Sequence, residues 1–161
     1  RNAEPQLQPT DVNKLIDDLR ILVRRKIAQQ KVELETRLAK ALPQIRADAP
    51  QLSQVFLNLT LNALEAMPDG GRLTIETRAI RLPRSAPTPT YVRIEFTDTG
   101  YGMDAATRER AFTSLLNTGK PGGTGLGLAI VGRIIESHRG RIKIKPSDGG
   151  TTFSILLPVA G

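Results

Sequence analysis

The chain has no cysteine and no tryptophan, two tyrosines, and four phenylalanines among its 161 residues. Without cysteine there is neither a disulfide nor a thiolate-held metal, and nothing marks an oxidising compartment, so the expected location is cytoplasmic. Aromatic residues make up 4% of the chain, which leaves few platforms for base stacking, and the net charge of +7 is therefore not read as a nucleic-acid footprint. The basic residues are scattered as well: Arg24, Arg25 and Lys26; Arg78, Arg81 and Arg84; Arg108 and Arg110; Arg139, Arg141, Lys143 and Lys145. No apolar run approaches the roughly 18 residues of a membrane span, so no membrane contact is expected of this domain. A signal-peptide pattern is missing too, and the chain opens on Arg1 rather than Met. The expectation is a piece of a longer protein, with any membrane anchor outside it.

What is present reads as one domain, with no internal repeat or low-complexity tract. Val12, Leu15, Ile16, Leu19, Leu22 and Val23 recur at helical spacing behind Thr10 or Asp11 as N-cap, giving a helix from Asp11 to Gln29. Val32 to Leu38 alternates as a strand, and Pro43 to Ala47 supplies a short second one. Asp48 and Pro50 open a second helix that "PDGG" stops near Met67. Arg72 to Ile80 and Tyr91 to Asp98 are strands flanking the Pro-rich hairpin loop "RLPRSAPTPT". A short helix is expected near Asp104 to Ala111. A longer helix follows "GGTG" and ends at Gly140 as its C′ residue, and a last hairpin closes the chain around "PSDGG". Mixed helices and strands with two hairpins indicate an α/β (α+β) two-layer sandwich rather than a doubly wound parallel sheet.

Three constellations carry chemistry. In "GGTGLGLAIV" four glycines fall within the six residues 122–127 and then give way to an apolar helix. Gly123, Gly125 and Gly127 let the backbone approach a ligand, the helix N-terminus presents free amides to phosphate, and Thr124 adds a hydroxyl. No Walker lysine follows, and no dinucleotide-binding strand precedes. The second is "DTGYGM": Asp98 ends a strand whose inner positions are Ile94 and Phe96. A carboxylate there needs donors, and the amine of adenine is one; Gly100 and Gly102 would clear the path of the base. The third is "QLSQVFLNLTLNALEAM", a largely apolar helix crossed by a polar stripe of Gln51, Gln54, Asn58, Asn62 and Glu65 spaced three and four apart. Asparagines among leucines ask for partners, and their carboxamide oxygens can ligate Mg²⁺.

Together these motifs resemble the ATP-binding catalytic domain of bacterial sensor histidine kinases, of the GHKL superfamily and Bergerat fold, in its nitrogen-regulatory type. "NLTLNALEA" resembles the N box (54–67), "DTGYGM" the G1 box (98–103), "AFTSLLNTGK" the F box within an ATP lid (101–124), and "GGTGLGLAIV" the G2 box (122–131). The resemblance covers essentially the whole chain. It implies a mixed sheet of about five strands with three helices on one face, and ATP with Mg²⁺ held between helices and lid. It implies that Asn62, with Asn58, holds Mg²⁺ and the phosphates as both catalytic and metal-binding residues. Asp98, with Gly100 and Gly102, would bind adenine, supported by Thr151 through a hydroxyl or water. Lys120, Gly123, Thr124, Gly125, Leu126 and Gly127 would surround the phosphates. The F box departs from its usual Phe-x-Pro-Phe-Phe, reading Phe112, Thr113, Ser114, Leu115 and Leu116, with Gly119 as an extra residue.

The resemblance further implies partners: a histidine-bearing dimerisation domain, absent from this chain, and the receiver domain of a response regulator. The one histidine, His138, is expected to be structural, an imidazolium complementing the end of its helix. Asn58 stands where ATPases of the superfamily carry a glutamate base, so slow hydrolysis and phosphoryl transfer to a histidine are expected; this module is not self-sufficient as a kinase. The alternatives are a nucleotide-binding switch of the anti-sigma type and a self-sufficient ATPase.

Overall fold

The computed structural model describes residues 4–100, 125–147 and 149–160. Among the described residues, seven strands and three helices follow in the order β1 (Gln8–Thr10), α1 (Val12–Gln29), β2 (Val32–Arg37), β3 (Ile45–Ala47), α2 (Ala49–Glu65), β4 (Gly71–Ile80), β5 (Tyr91–Asp98), α3 (Gly125–Ser137), β6 (Arg141–Ser147) and β7 (Gly150–Pro158). The short helix expected near 104–111 lies outside the described residues.

The helices start where their caps dictate. Asp11 accepts from the Lys14 amide at 3.2 Å and Asp48 from the Gln51 amide at 3.1 Å, each satisfying a first-turn donor that the helix itself cannot. Apolar residues at three- and four-residue spacing then face inward, Val12, Ile16, Leu19, Val23 and Ile27 from α1 and Leu52, Val55, Phe56, Leu59 and Ala63 from α2. The main sheet has the order β2-β4-β5-β7-β6, with β2 parallel to β4 and every other pair antiparallel. It is the mixed five-stranded sheet expected, with three helices against its inner face.

Alternation decides which face of each strand is buried. Ile75, Phe96 and Phe153 share one inward row, and Leu73, Asp98 and Thr151 form the last. The other face is polar and laced with ion pairs such as Glu33 with Arg72 at 3.0 Å and Glu95 with Lys145 at 3.0 Å. Burial pushes the Glu95 carboxyl up, but the Lys145 and Ser154 hydrogen bonds and the Lys145 and Arg93 charges outweigh it, leaving Glu95 below its ordinary range.

Two features differ from expectation. β1 was not foreseen; three residues carry no periodicity, and its pairing with β3 in a separate antiparallel ribbon is a long-range contact. The end of α3 is also different. Arg139, at φ 60°, takes the left-handed C′ position, its amide donating to Glu136 and that of Gly140 to Ile135 at 2.9 Å each. Gly140 is needed for room instead, since a Cβ there would lie 2.6 Å from Leu157 Cδ2 and 2.7 Å from the Leu156 carbonyl oxygen.

Candidate functional site

Asp98 continues the inward series Val92, Ile94, Phe96 of β5 at the point where the sheet runs out of apolar side chains. It is 4% exposed. Its Oδ1 accepts from the Gly100 amide at 2.9 Å, and the amide of Thr151, opposite it in β7, donates to the same carboxylate. An ionised carboxylate has about four acceptor sites, so two donors leave capacity for a ligand. Burial raises its pKa above the ordinary range, and the two amides pull against that shift without cancelling it. Thr151 acts on the Asp98 carboxyl through its backbone, where a hydroxyl or water was expected.

The frame around this carboxylate is built by close approach. A Cβ on Gly100 would sit 2.4 Å from the Ala66 carbonyl oxygen at the end of α2, and one on Gly150 would sit 1.8 Å from the Asp98 carbonyl oxygen. Gly100 therefore has a packing reason to be glycine besides any path for a base. Thr99 locks the rim: its hydroxyl accepts from the Arg72 amide at 3.0 Å. Gln30, from the end of α1, donates its side-chain amide to the carbonyls of Leu64 and Met67, the latter at 2.9 Å, tying the end of α1 to the chain that leaves α2. Gly150, Thr99 and Gln30 escaped the sequence reading. Of these only the glycine pair in "DGGTTF" left any signal, because the others act through contacts distant in sequence.

From Ala66 the helix leads back past Asn62 to Asn58, one turn apart and both half-buried. Eight residues of helix separate Ala66 from Asn58, a span of about 12 Å. The Asn58 Nδ2 donates to the Gly127 carbonyl at 3.4 Å, bringing α2 beside the first turn of α3. That turn begins at Gly125 and continues through Leu126 and Gly127, so the first amides of a helix lie close to Asn58. The Asn62 carboxamide makes no hydrogen bond to any described residue. Gln54 and Glu65, the outer members of the stripe, are exposed. Asp98 and Gly100 thus lie beside the end of α2, Asn62 one turn back from Ala66, and Asn58 a further turn back against Gly127. Gly102, Lys120, Gly123 and Thr124 lie outside the described residues, as does the lid.

His138 is structural, but not as an imidazolium. It is 4% exposed. Its Nε2 accepts from the Asp48 amide at 3.0 Å, and Nδ1 lies 2.8 Å from the Ile134 carbonyl oxygen, to which it donates. A ring nitrogen that accepts carries no proton, so the ring is neutral. Among the described residues no three of His, Cys, Asp and Glu converge as a metal site, and no helix is long and apolar enough to cross a membrane.

Comparison with known proteins gives this geometry a context. Residues 47–161 match the family described as histidine kinase-, DNA gyrase B-, and HSP90-like ATPase. Sensor histidine kinase ZraS of Escherichia coli K12 is 36% identical over 154 residues, which cover 95% of this chain and 31% of that protein. The nucleotide-free catalytic domain of histidine kinase ThkA superposes with a TM-score of 0.81 at 25% identity, covering 96% of each chain. Full-length ShkA in complex with AMPPNP gives a TM-score of 0.81 at 28% identity, over 99% of this chain and 32% of that one. The chain spans about a third or less of the length of curated relatives such as ZraS and the sensor kinase CckA of Brucella abortus.

Proposed function

This chain belongs to the histidine kinase-, DNA gyrase B-, and HSP90-like ATPase family, and on that premise we propose that it is the MgATP-binding catalytic module of a cytoplasmic two-component sensor histidine kinase. It presents the γ-phosphoryl group to a histidine on a separate dimerisation domain, for relay to the receiver domain of a response regulator. The observation that carries this reading is the alignment along α2. A buried carboxylate with acceptor capacity to spare lies beside the C-terminal end of α2, half-buried Asn62 is one turn back from there, and half-buried Asn58, a further turn back, bonds Gly127 in the glycine-opened first turn of α3.

Each part has a matching chemical task. The Asp98 carboxylate accepts the exocyclic amine of adenine, a charge-assisted bond worth about 1.5–3 kcal/mol and unavailable to guanine, which places a carbonyl there. The amides of Gly125, Leu126 and Gly127 face the phosphates, and Gly123, Thr124 and Lys120 are the proposed lid-side contacts. Asn58 and Asn62 fit a hard cation that keeps waters and substrate phosphates as its other ligands. When bound, Mg²⁺ neutralises charge on the transferred phosphoryl group. An amide accepts no proton at neutral pH, so Asn58 does not activate water, and the γ-phosphoryl is kept for the incoming imidazole. His138 is not that acceptor, being buried with both ring nitrogens engaged.

Calorimetry with MgATP, followed by mixing with a separately prepared histidine-bearing helical domain, tests the reading. Binding and acid-labile labelling of the added domain are expected. Labelling of His138 itself, or steady hydrolysis above roughly 1 s⁻¹ by the chain alone, would replace it with a different function.

A further inference from the structure

The α2 and α3 helices run antiparallel, tied by two polar contacts: Asp48, the N-cap of α2, to His138 at the end of α3, and Asn58, at the middle of α2, to Gly127 in the first turn of α3. Ten residues separate the two attachment points on α2 and eleven those on α3, rises of about 15 and 16.5 Å, so one contact sets the register of the other. Between them Leu52, Val55 and Leu59 on one helix and Leu128, Val131 and Ile135 on the other are buried in the common core. Such contacts are non-directional and leave small sliding and rolling displacements poorly specified. The imidazole is a directional restraint at the far end.

Both carboxylate oxygens of Asp48 are engaged there. Its Oδ1 caps the Gln51 amide at 3.1 Å and its Oδ2 accepts from the Gln6 amide at 2.9 Å, while its own N–H goes to His138 Nε2. The Nδ1 proton goes to the Ile134 carbonyl, a C-terminal acceptor of α3, with the Ser137 hydroxyl 3.3 Å away. One neutral ring thus caps the end of one helix and holds the start of the other.

We propose that His138 is a positioning residue for nucleotide binding: its two-sided hydrogen bond fixes the register of α2 against α3, and so the spacing between Asn58, Asn62 and the phosphate-facing first turn of α3. The inference rests on the nucleotide reading of the cleft. Two substitutions separate the halves of the clasp. His138→Asn keeps a donor for Ile134 and loses the acceptor for Asp48; His138→Gln keeps an acceptor within reach of Asp48. Calorimetry of each folded variant uses two probes, adenosine, which has no phosphate, and a non-hydrolysable MgATP analogue. His138→Asn is expected to weaken the analogue about tenfold, the scale of a buried amide left without its acceptor, with adenosine changed less than about twofold, while His138→Gln recovers most of the loss.

Equal losses for both probes, or none for either, would overturn the positioning role and leave the nucleotide reading intact. An unsubstituted chain that binds neither probe would overturn both. Where His138→Asn fails to fold, the lone imidazole of the unsubstituted chain decides by nitrogen NMR. A neutral Nδ1–H tautomer whose Nε2 resonance moves with the analogue but not with adenosine supports the proposal. An Nε2–H tautomer, or no response to the analogue, overturns it.

Discussion

Asp98 and His138 are equally buried, at 4% exposure each, and sit at opposite ends of α2, yet their surroundings treat them differently. The imidazole has a partner on each nitrogen, a donor from α2 and an acceptor from α3. The carboxylate has two backbone donors and acceptor capacity left over, and burial holds its pKa above the ordinary range. A fully paired buried polar group joins elements at little cost. An incompletely paired one costs stability and persists where a ligand completes it.

The largest effect expected from breaking this contrast is Asp98→Asn. An amide is no longer an obligatory acceptor, and MgATP affinity should fall by about one to two orders of magnitude, read by calorimetry. The same substitution should leave the melting temperature unchanged or higher, because it removes a buried charge; a clear loss of thermal stability would mean that Asp98 is a structural group after all.

Next in size is Gly100→Ala, which forces a Cβ into the Ala66 carbonyl at the end of α2. About 1–3 kcal/mol of destabilisation is expected from denaturant unfolding, with adenosine affinity falling alongside. Asn62→Asp is narrower. It should displace the midpoint of a Mg²⁺ titration of nucleotide binding severalfold, since a carboxylate outcompetes a carboxamide for a hard cation, and leave adenosine binding unaltered.

The smallest effect is on pH dependence. The raised pKa of Asp98 means that the native state holds its proton to a higher pH than the unfolded chain does. Its contribution therefore favours folding below the ordinary carboxylate range and declines as pH rises through the raised value. Adenosine affinity should run the other way, falling as pH drops through the same window. Melting curves of the parent and Asp98→Asn across that window should converge toward the acid end.

Much of this was legible in the chain itself. The N-caps Asp11 and Asp48, the inward series ending in Asp98, and the Asn58 and Asn62 pair all follow from local spacing. The structure turns the Asp98 carboxylate inward as the strand period requires. What escaped detection acts across long separations. β1 pairs with β3 nearly forty residues away in sequence. Gln30 ties the end of α1 to the chain that leaves α2, and Thr151 supports Asp98 with an amide that any residue could supply. Gly140 looked like a helix cap because glycine commonly takes the left-handed position, but Arg139 adopts it and Gly140 makes room for β7.

The sequence by itself determined where helices begin, which strand faces turn inward, and which residue types could meet adenine, metal and phosphate, because capping and side-chain period act over a few neighbouring residues. Only the tertiary structure decided how those residues are served. It determined that Asp98 keeps acceptor sites unfilled by any described residue, that Gly100 and Gly150 admit neighbouring backbone, and that His138 is a neutral clasp instead of a charged cap. Those outcomes depend on which atoms arrive from distant segments, and hydrogen-bond satisfaction in a buried site is a property of that assembly.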